Sequence, residues 1–389
     1  MRIILVMIEP PLPFGNAAAR WFYVLLKELV ARGHDVTSFA ACSKETEIAE
    51  AHKLFPAPDY DLRCYPFPKR EGVGNKLETI LRPYSYMFSK ELRSDLDATL
   101  AEGYDVLHLE QLWAGWLAID RPEKAVVNVH HLIMIDQEFL TPKTLRQRME
   151  RYLVFKAEKA LIRKLRHFRS CSPRLVPVMK KFNPTGRYVT VPVGIDPGQY
   201  PYIPDDKRSA APVVSVIGNM TWYPSSSAAI RLLTKLWPEI KRRVPEARAQ
   251  IVGWSARSTL MEFLDLPDVT IVENVPDMQP YFERTSVLCY PPTRGSGMKI
   301  KILESLGYGI PVVTTSEGSE GLPAIDGVHM GIAEDDAGLI DRVVELLLDP
   351  AEQNRQRAAG RELLEDHCGP KTTVDAIENV YKEIQAAGG

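Results

Sequence analysis

One segment in the last third of the chain constrains the fold most, because two short apolar runs flank a glycine loop and a helical pattern. Val287–Tyr290 is apolar and precedes two prolines, which is typical of a buried parallel strand that ends at a turn. Gly295 and Gly297 then allow a sharp change of direction. Met298–Tyr308 predicts a helix, and Pro311–Thr315 predicts a second strand. This order of elements indicates a parallel α/β unit.

The beginning of the chain repeats this alternation. Ile3–Ile8 predicts a central strand, and Val36–Ala41 predicts the next one. Between them, Ala17–Arg32 predicts a helix that Asn16 can cap. Three apolar side chains at helical spacing predict its buried face: Trp21, Leu25 and Leu29. The unit contains no Gly-x-Gly-x-x-Gly motif, so a nicotinamide cofactor is not expected.

Strands and helices of the same kind are predicted along most of the remaining chain. The exception is 44–94, where prolines repeatedly interrupt the pattern and irregular structure is expected. The other predicted strands are Val106–Leu109, Ala125–Val129, Tyr188–Val193, Val213–Gly218, Ala249–Val252 and Val269–Val272. The other predicted helices are Leu145–Phe168, Ala228–Arg243, Ala337–Leu348, Ala351–Asp366 and Lys371–Ala386.

The length of the chain, 389 residues, suits two domains rather than one core. A stretch rich in Pro and Asp follows Gly194-Ile195-Asp196 and continues to Pro212, which predicts the linker. We therefore expect one domain over 1–195 and a second over 196–370, each with a doubly wound parallel sheet.

Composition excludes several classes of protein. The net charge of −2 gives no indication of nucleic acid binding. The five cysteines are widely spaced and include no Cys-x-x-Cys, so we expect them to be reduced in a cytoplasmic protein. No apolar run is long enough for a signal peptide or a membrane span, so the chain is not expected to cross a membrane. No metal-ligand spacing is visible, and no metal is expected.

The glycine loop opens onto the start of a helix, where backbone N–H groups and the helix dipole favour an anion such as phosphate. Lys301 and Glu304 share one face of this helix, whereas Lys299 points about 200° away from Lys301 at about 100° per residue. Two interpretations stay open. Lys301 and Glu304 form an internal ion pair, or Lys299 or Lys301 meets a diphosphate while Glu304 accepts hydrogen bonds from sugar hydroxyls.

The run Gly295-Ser-Gly-Met-Lys-Ile-Lys-Ile-Leu-Glu304, followed by Gly318-Ser-Glu-Gly-Leu322, resembles the nucleotide-sugar site of the retaining group 1 glycosyltransferases with the GT-B fold. In that family two glutamates eight positions apart handle the donor. Here the second is Glu304, and Ser296 stands where the first would be. The run is similar to a branch of the family with Gly-x-Gly-x-Arg/Lys-x-Lys-x-x-Glu. The fold class implied is α/β, with two Rossmann-like domains facing a cleft and the final helix, 371–389, packed on the first domain.

The resemblance implies catalytic roles for Glu304 and Lys301 and a donor-binding role for a larger set of residues. In many relatives, the loop after the strand that corresponds to Val213–Gly218 supplies an Arg and a Lys that bind the diphosphate. This chain has neither, so the diphosphate is expected to be bound by Arg294, Lys299 and Lys301 instead. The donor-binding residues implied are Gly15, Asn16, Gly218, Asn219, Val275, Arg294, Gly295, Ser296, Gly297, Met298, Lys299, Ile300 and Glu320.

In the first domain, the loop around Gly15-Asn16 resembles the glycine loop after the first strand of this family, which implies contact with the donor phosphate or the acceptor. The alternative is that this loop only begins a helix. His130 and His131 follow the strand Ala125–Val129, at the edge where doubly wound sheets bind ligands. Alone, such a pair is as often structural as functional. The family carries a histidine here close to the reacting sugar, which favours His130, with His131 and His108 as the next candidates.

The segment 143–187 carries fourteen Lys and Arg residues against two acids, Glu150 and Glu158. Much of it has a helical period, with an apolar stripe at Leu153, Ala157, Ala160, Leu161 and Leu165. A basic amphipathic helix can lie on anionic lipid at the inner face of a membrane. A solvated basic face, or a surface suited to an anionic donor, is the equal alternative.

Taken together, the resemblance implies a retaining, metal-independent glycosyltransferase of the hexosyltransferase type that uses a nucleotide sugar such as a UDP-sugar and needs no cofactor. The acceptor would be a sugar, a glycolipid or a small molecule, in bacterial-type glycan, glycolipid or glycosylated-metabolite biosynthesis. Two alternatives stay open, a GT-B nucleotide-sugar epimerase and a non-catalytic nucleotide-sugar-binding subunit.

Overall fold

The structure, a computed structural model, divides the chain into two compact units. The first comprises Met1–Ile195 with Pro370–Gly389, and the second comprises Asp196–Gly369. Each unit is built on one parallel sheet with helices, so the predicted α/β class with two doubly wound sheets is confirmed. The residues that the structure describes are 1–68, 78–138, 141–208 and 211–388.

The first unit contains a sheet of seven strands in the order β3-β2-β1-β4-β5-β6-β7, in which every neighbouring pair is parallel. The chain fills one half of the sheet outward from β1, and it then starts again beside β1 with β4. The strands are β1 Arg2–Met7, β2 Asp35–Cys42, β3 Asp61–Pro66, β4 Val106–Glu110, β5 Ala125–Val129, β6 His167–Ser170 and β7 Arg187–Thr190.

Six α-helices before the linker have both ends within the described residues of this unit, and 78–81 are helical as well. In the first of them, the side chains of Trp21, Leu25 and Leu29 are buried as predicted. Asn16 caps it, because its Oδ1 accepts a hydrogen bond from the N–H of Ala19 at 3.0 Å. The helices are α1 Ala17–Ala31, α2 Glu45–Leu54, α3 Lys90–Ala101, α4 Ile133–Asp136, α5 Leu145–Lys164 and α6 Leu175–Lys180.

Two predictions for this unit are wrong. The segment 44–94 is not irregular throughout, because it contains α2, β3 and the start of α3, while 69–77 lies outside the described residues. The helix predicted over Leu145–Phe168 ends at Lys164, and Phe168 lies in β6. Pairing of β6 with both β5 and β7 stabilises the extended conformation there, which a helical period cannot reveal.

The second unit contains a six-stranded parallel sheet in the order β10-β9-β8-β11-β12-β13. Its strands are β8 Val213–Ile217, β9 Arg248–Gly253, β10 Val269–Glu273, β11 Val287–Tyr290, β12 Val312–Thr314 and β13 Gly331–Ile332. Its α-helices are α7 Tyr223–Arg231, α8 Trp237–Arg243, α9 Ala256–Thr259, α10 Gln279–Arg284, α11 Ile300–Tyr308, α12 Asp336–Leu348 and α13 Pro350–Cys368. Residues 209–210 of the predicted linker lie outside the described part of the chain.

The helix predicted over Ala228–Arg243 begins earlier than expected, and the serines before Ala228 do not cap it. The helix α7 begins at Tyr223, so Ser225 and Ser227 lie inside it and are buried. A π-helical turn, Leu232–Leu236, joins α7 to α8. Pro224 near the start of α7 explains the earlier beginning, since proline is favoured in the first turn of a helix.

The last helix, α14 Pro370–Gly388, belongs to the first unit. Its acidic residues contact basic residues that follow α1. Arg32 Nη1 lies 2.6 Å from a carboxylate oxygen of Asp375, and His34 Nε2 lies 2.8 Å from one of Glu378. No helix in the described ranges combines the length and the apolar character that a membrane span requires.

The end of α11 is fixed by a buried guanidinium. Arg357 of α13 is only 2% exposed, and its Nε donates to the carbonyl of Gly309 at 2.7 Å. Its Nη1 contacts the carboxylate of Asp205, and its Nη2 donates to the carbonyl of Ile203. Since Gly309 is the left-handed C-cap of α11, Arg357 joins this helix to α13 and to the segment that opens the unit.

We expect Arg357→Lys to destabilise the protein by about 2–4 kcal/mol, because lysine cannot reproduce the planar set of donors and leaves buried carbonyls without partners. Urea unfolding measures this change. Arg355→Lys on the same helix, where the side chain is half exposed, is the matched control and should cost under about 1 kcal/mol. Equal unfolding free energies for the two variants would contradict this assignment.

Candidate active site

Each sheet has one place where the order of its strands reverses, and doubly wound folds bind ligands at the carboxyl ends of the strands there. In the second unit this place lies between the adjacent strands β8 and β11. Gly218 and Asn219 follow β8, whereas the segment Arg294–Lys299 follows β11. These sequence-predicted donor residues of the second unit are therefore brought to one edge of this sheet, whereas Gly15 and Asn16 belong to the first unit.

The glycine loop after β11 has the conformation for which its glycines are needed. Gly295 has φ +151° and Gly297 has φ +79°, which side chains rarely adopt. A Cβ on Gly295 would also lie 2.6 Å from Pro224 at the start of α7. The N–H of Thr293 donates to the hydroxyl of Ser227 at 3.3 Å, so this loop is fastened to α7.

The helix α11 begins at Ile300, two residues later than predicted, with Lys299 at its N-cap. Lys299 does not cap the helix with its side chain, and the first turn contains no acidic residue. Lys301 Nζ lies 2.5 Å from a carboxylate oxygen of Glu304, which confirms that these two residues pair along the helix. The side chain of Lys301 is 25% exposed, whereas that of Glu304 is buried. The first turn of α11 thus carries a partly exposed cation, which pairs with a buried carboxylate one turn further along the helix.

Lys299 has a different environment from Lys301 because it precedes the helix, where its backbone is extended. Its side chain is buried, with Nζ 3.6 Å from a carboxylate oxygen of Glu320. The same ammonium donates to the carbonyl of Gly297. The structure thus makes Lys299 and Glu320 an internal pair that braces the glycine loop, and Lys301 and the exposed Arg294 are the cations nearer solvent.

The remaining donor candidates are spread along the same edge. Asn219 is exposed, and its Oδ1 accepts from the N–H and hydroxyl of Thr221. Val275 lies just beyond β10 and before the short helix α10, as expected. Gly218, Ser296 and Met298 are buried, and Ile300 is partly buried.

In the first unit, the strand order reverses between β1 and β4. Gly15 and Asn16 are exposed in the loop after β1, with Gly15 at φ +87°. The side chain of Asn16 is engaged twice, since it caps α1 and its amide donates to Glu9. Asn16 therefore acts as the N-cap of α1, as the alternative interpretation of this loop requires.

Glu110, at the end of β4, is the centre of a buried network that sequence reasoning missed. It is fully buried, and its Oε1 accepts from the indole N–H of Trp21 at 2.9 Å. Its Oε2 accepts from the amide of Asn128 at 2.5 Å and lies 2.8 Å from Nε2 of His130. His108 Nε2 lies 3.1 Å from Oε1, in poor alignment for a hydrogen bond.

Burial alone raises the pKa of Glu110, but its close contacts with His108 and His130 outweigh it and hold the pKa well below its ordinary value. Glu110 is thus an ionised carboxylate inside the unit. The side chain of His130 is 15% exposed, whereas that of His108 is fully buried. Of the three candidate histidines, His130 is therefore held by the carboxylate and also reaches the surface.

A second buried carboxylate organises the loop after His130. Glu158 of α5 is 1% exposed and accepts hydrogen bonds from the N–H groups of Ile133 and Met134 at 2.7 and 2.8 Å. Burial raises the pKa of Glu158 to about 8, although these hydrogen bonds act in the opposite direction. Glu158 therefore connects the basic helix to the start of α4.

Comparison with known families agrees with this architecture. Residues 18–199 match the family model described as Glycosyltransferase Family 4, and residues 211–349 match the one described as Glycosyl transferases group 1. None of the curated protein sequences matches the chain.

Solved structures similar to this chain share its fold over nearly the whole length. Sucrose-phosphate synthase from Thermosynechococcus elongatus has a TM-score of 0.73 and 15% identity, with 99% of each chain covered. HepE from Anabaena, in complex with UDP and glucose, has a TM-score of 0.70 and 12% identity, covering 98% of this chain and 100% of its own. A glycosyltransferase from Rickettsia africae has a TM-score of 0.66 and 13% identity, with 98% of each chain covered.

The two doubly wound units are those of a GT-B glycosyltransferase fold. The two family matches fall one in each unit, so each unit is similar in sequence to a glycosyltransferase domain.

We expect the stability of the protein to fall as the pH rises from about 5 to 8, in part because of Glu158. The folded carboxyl keeps its proton up to a pKa of about 8, whereas the unfolded one loses it near 4.5, so between these values the folded state binds more protons. Glu158→Gln should reduce this loss of unfolding free energy. Urea unfolding at pH 5 and pH 8 measures it.

The control is Glu150→Gln on the same helix, where the carboxylate is exposed and pairs with Arg146. This variant should keep the pH dependence of the natural protein. If Glu158→Gln also keeps it, the raised pKa of Glu158 is refuted.

Proposed function

We propose that this chain transfers a hexosyl group from a nucleotide diphosphate sugar to a hydroxyl of an acceptor, with retention of the anomeric configuration. One observation carries the proposal. The Lys301–Glu304 pair stands at the start of α11, beside the glycine loop and at the edge where a doubly wound sheet binds its ligand. The HepE structures, which contain UDP or UDP-glucose, support a nucleotide sugar such as a UDP-sugar as the donor.

Each group at this edge has a chemical role in the proposal. The backbone N–H groups at the start of α11 and the cations of Lys301 and Arg294 stabilise the diphosphate as negative charge develops on the leaving group. Glu304 accepts hydrogen bonds from hydroxyls of the donor sugar. The pair of Lys299 and Glu320 keeps the loop in its bound conformation. With these cations in place, we propose a reaction without metal or other cofactor.

We assign the acceptor to the first unit, where His130 is the residue that acts on the reacting sugar. The leaving phosphate helps to remove the proton from the acceptor hydroxyl, which is consistent with retention. The acceptor class we propose is a sugar, a glycolipid or a small molecule, in the synthesis of a bacterial-type glycan, glycolipid or glycosylated metabolite.

We expect Glu304→Gln and Lys301→Ala each to lower kcat/KM by about 100-fold or more, the usual effect of removing one charged group from a transition-state site. Release of nucleoside diphosphate in the presence of acceptor measures the rate. Lys235→Ala, an exposed lysine of the same unit, is the matched control and should keep full activity. Near-normal turnover of either site variant would refute its role.

The same assay separates the alternatives. A nucleotide-sugar epimerase would change the donor sugar without an acceptor, and product analysis would detect it. A non-catalytic binding subunit would bind the donor in calorimetry but release no nucleoside diphosphate. Either result would end the proposal of transfer.

We also propose that α5 brings the enzyme to the cytoplasmic face of an anionic membrane. Leu145, Met149 and Tyr152 recur at helical spacing on this helix and are 82%, 58% and 64% exposed. The exposed cations of Arg148 and Lys156 flank them. An exposed apolar stripe between cations has the chemistry of a helix that lies on anionic headgroups, whereas a solvated basic face has no need of the apolar stripe.

We expect the protein to sediment with liposomes that contain phosphatidylglycerol and much less with neutral phosphatidylcholine liposomes, because both charge and apolar burial contribute. The variant Leu145→Ser with Met149→Ser should lose most of this binding and keep its catalytic rate on a water-soluble acceptor. Equal partitioning of the natural protein onto the two kinds of liposome would refute membrane contact.

A further inference from the structure

We propose that Glu110 is a positioning residue that fixes the tautomer of His130, so that Nδ1 of His130 is left as a hydrogen-bond acceptor for a sugar hydroxyl. This inference rests on the proposed glycosyl transfer, because it assigns the orientation of the histidine that we place at the reacting sugar. It concerns only residues of the first unit.

The carboxylate of Glu110 is surrounded by hydrogen-bond donors. Its two oxygens receive the indole N–H of Trp21 and the amide of Asn128, and Nε2 of His130 lies 2.8 Å from Oε2. An ionised carboxylate can only accept hydrogen bonds. Nε2 of His130 must therefore carry a proton and donate it, because an unprotonated nitrogen there would face the carboxylate with its lone pair.

Asn128 lies beside the same ring nitrogen. Its amide nitrogen lies 2.5 Å from Oε2 of Glu110 and 2.9 Å from Nε2 of His130. The contact with the carboxylate decides the tautomer, because an ionised oxygen makes the stronger hydrogen bond, and Nε2 of His130 therefore donates to Glu110 rather than accepts from Asn128. The reverse tautomer would leave the 2.8 Å contact between His130 and Glu110 without a hydrogen.

The other ring nitrogen of His130, Nδ1, is the atom left for the substrate. A neutral imidazole with Nε2–H has a lone pair on Nδ1. Within the described residues no group is bonded to Nδ1 of His130, and the side chain is 15% exposed. Nδ1 is thus prepared to accept a hydrogen bond from a hydroxyl.

Replacing the carboxylate of Glu110 with an amide should change the tautomer of His130. The indole of Trp21 can only donate, so the carbonyl oxygen of a glutamine at position 110 has to face it. The amide nitrogen of that glutamine then faces His130. To accept from it, Nε2 of His130 must lose its hydrogen, and the proton moves to Nδ1. Glu110→Gln therefore reverses the tautomer and presents a donor to the sugar hydroxyl.

A matched control lies on the far side of the same carboxylate. The hydroxyl of Tyr381 in α14 lies 2.5 Å from Nδ1 of His108, whose other nitrogen lies near Oε1 of Glu110. Tyr381→Phe removes this hydroxyl and leaves the contact of Glu110 with His130 intact. This variant tests whether the tautomer of His130 reverses after any change in the hydrogen bonds around Glu110, or only after the change at Glu110 itself.

The direct test is nitrogen-15 NMR of the histidine side chains at neutral pH. We expect His130 of the natural protein to show Nε2–H with unprotonated Nδ1, Glu110→Gln to show the reverse, and Tyr381→Phe to match the natural protein. The spectrum of His130→Ala lacks the signals of the His130 ring nitrogens and so identifies them in the natural protein. A natural protein with Nδ1–H on His130 would overturn the inference without any variant, even if Glu110→Gln failed to fold.

Kinetics give the second readout. We expect Glu110→Gln to lower kcat by about 10- to 100-fold, the effect of a buried donor facing a donor, while KM for the nucleotide sugar changes little. A Glu110→Gln enzyme that keeps the kcat of the natural protein would overturn the inference. Natural protein that transfers no sugar would instead end the proposed function, whereas the tautomer of His130 is measured independently of turnover.

Discussion

The ion pair between Lys301 and Glu304 is the interaction on which the proposed donor site depends. A buried carboxylate is unfavourable unless a cation or hydrogen bonds compensate it. Lys301 supplies that compensation from one turn away and keeps part of its side chain in solvent. The pair stays beside the glycine loop because Gly309 ends the helix and Arg357 holds that end. Charge that can meet a diphosphate is therefore held on a rigid element rather than on a mobile loop.

The first unit uses the same principle with hydrogen-bond donors in place of a lysine. There an ionised carboxylate, Glu110, lies inside the protein and is compensated by donors from Trp21, Asn128 and His130. These donors come from α1, from β5 and from the residue just after β5, and they surround the end of β4. Glu158 adds hydrogen bonds to the backbone just beyond His130. In both units, a buried charge determines the geometry of a group that reaches solvent.

Much of this architecture is predictable from the sequence, because strands such as Ala125–Val129 and helices such as Ala17–Ala31 have clear apolar periods. The pairing of Lys301 with Glu304 is predictable as well, since it is set by helical spacing. The strand β3 was missed because its pattern is short and surrounded by prolines, and its pairing with β2 stabilises it.

Glu110 was missed for a different reason. The alternation in Leu107-His108-Leu109-Glu110 places the histidine and the acid on one face of a strand, which is a detectable signal. The partners that make the acid informative are distant in sequence, since Trp21 is 89 positions away and Tyr381 is 273 positions from His108. Local spacing carries no information about contacts of this kind.

A crystal structure of this protein with a bound nucleoside diphosphate tests the central claim most directly. We expect the diphosphate to contact the backbone N–H groups at the start of α11, with the ammonium of Lys301 beside its oxygens. Diphosphate density at any other place on the second unit, with the segment from Gly295 to Glu304 unoccupied, would contradict it.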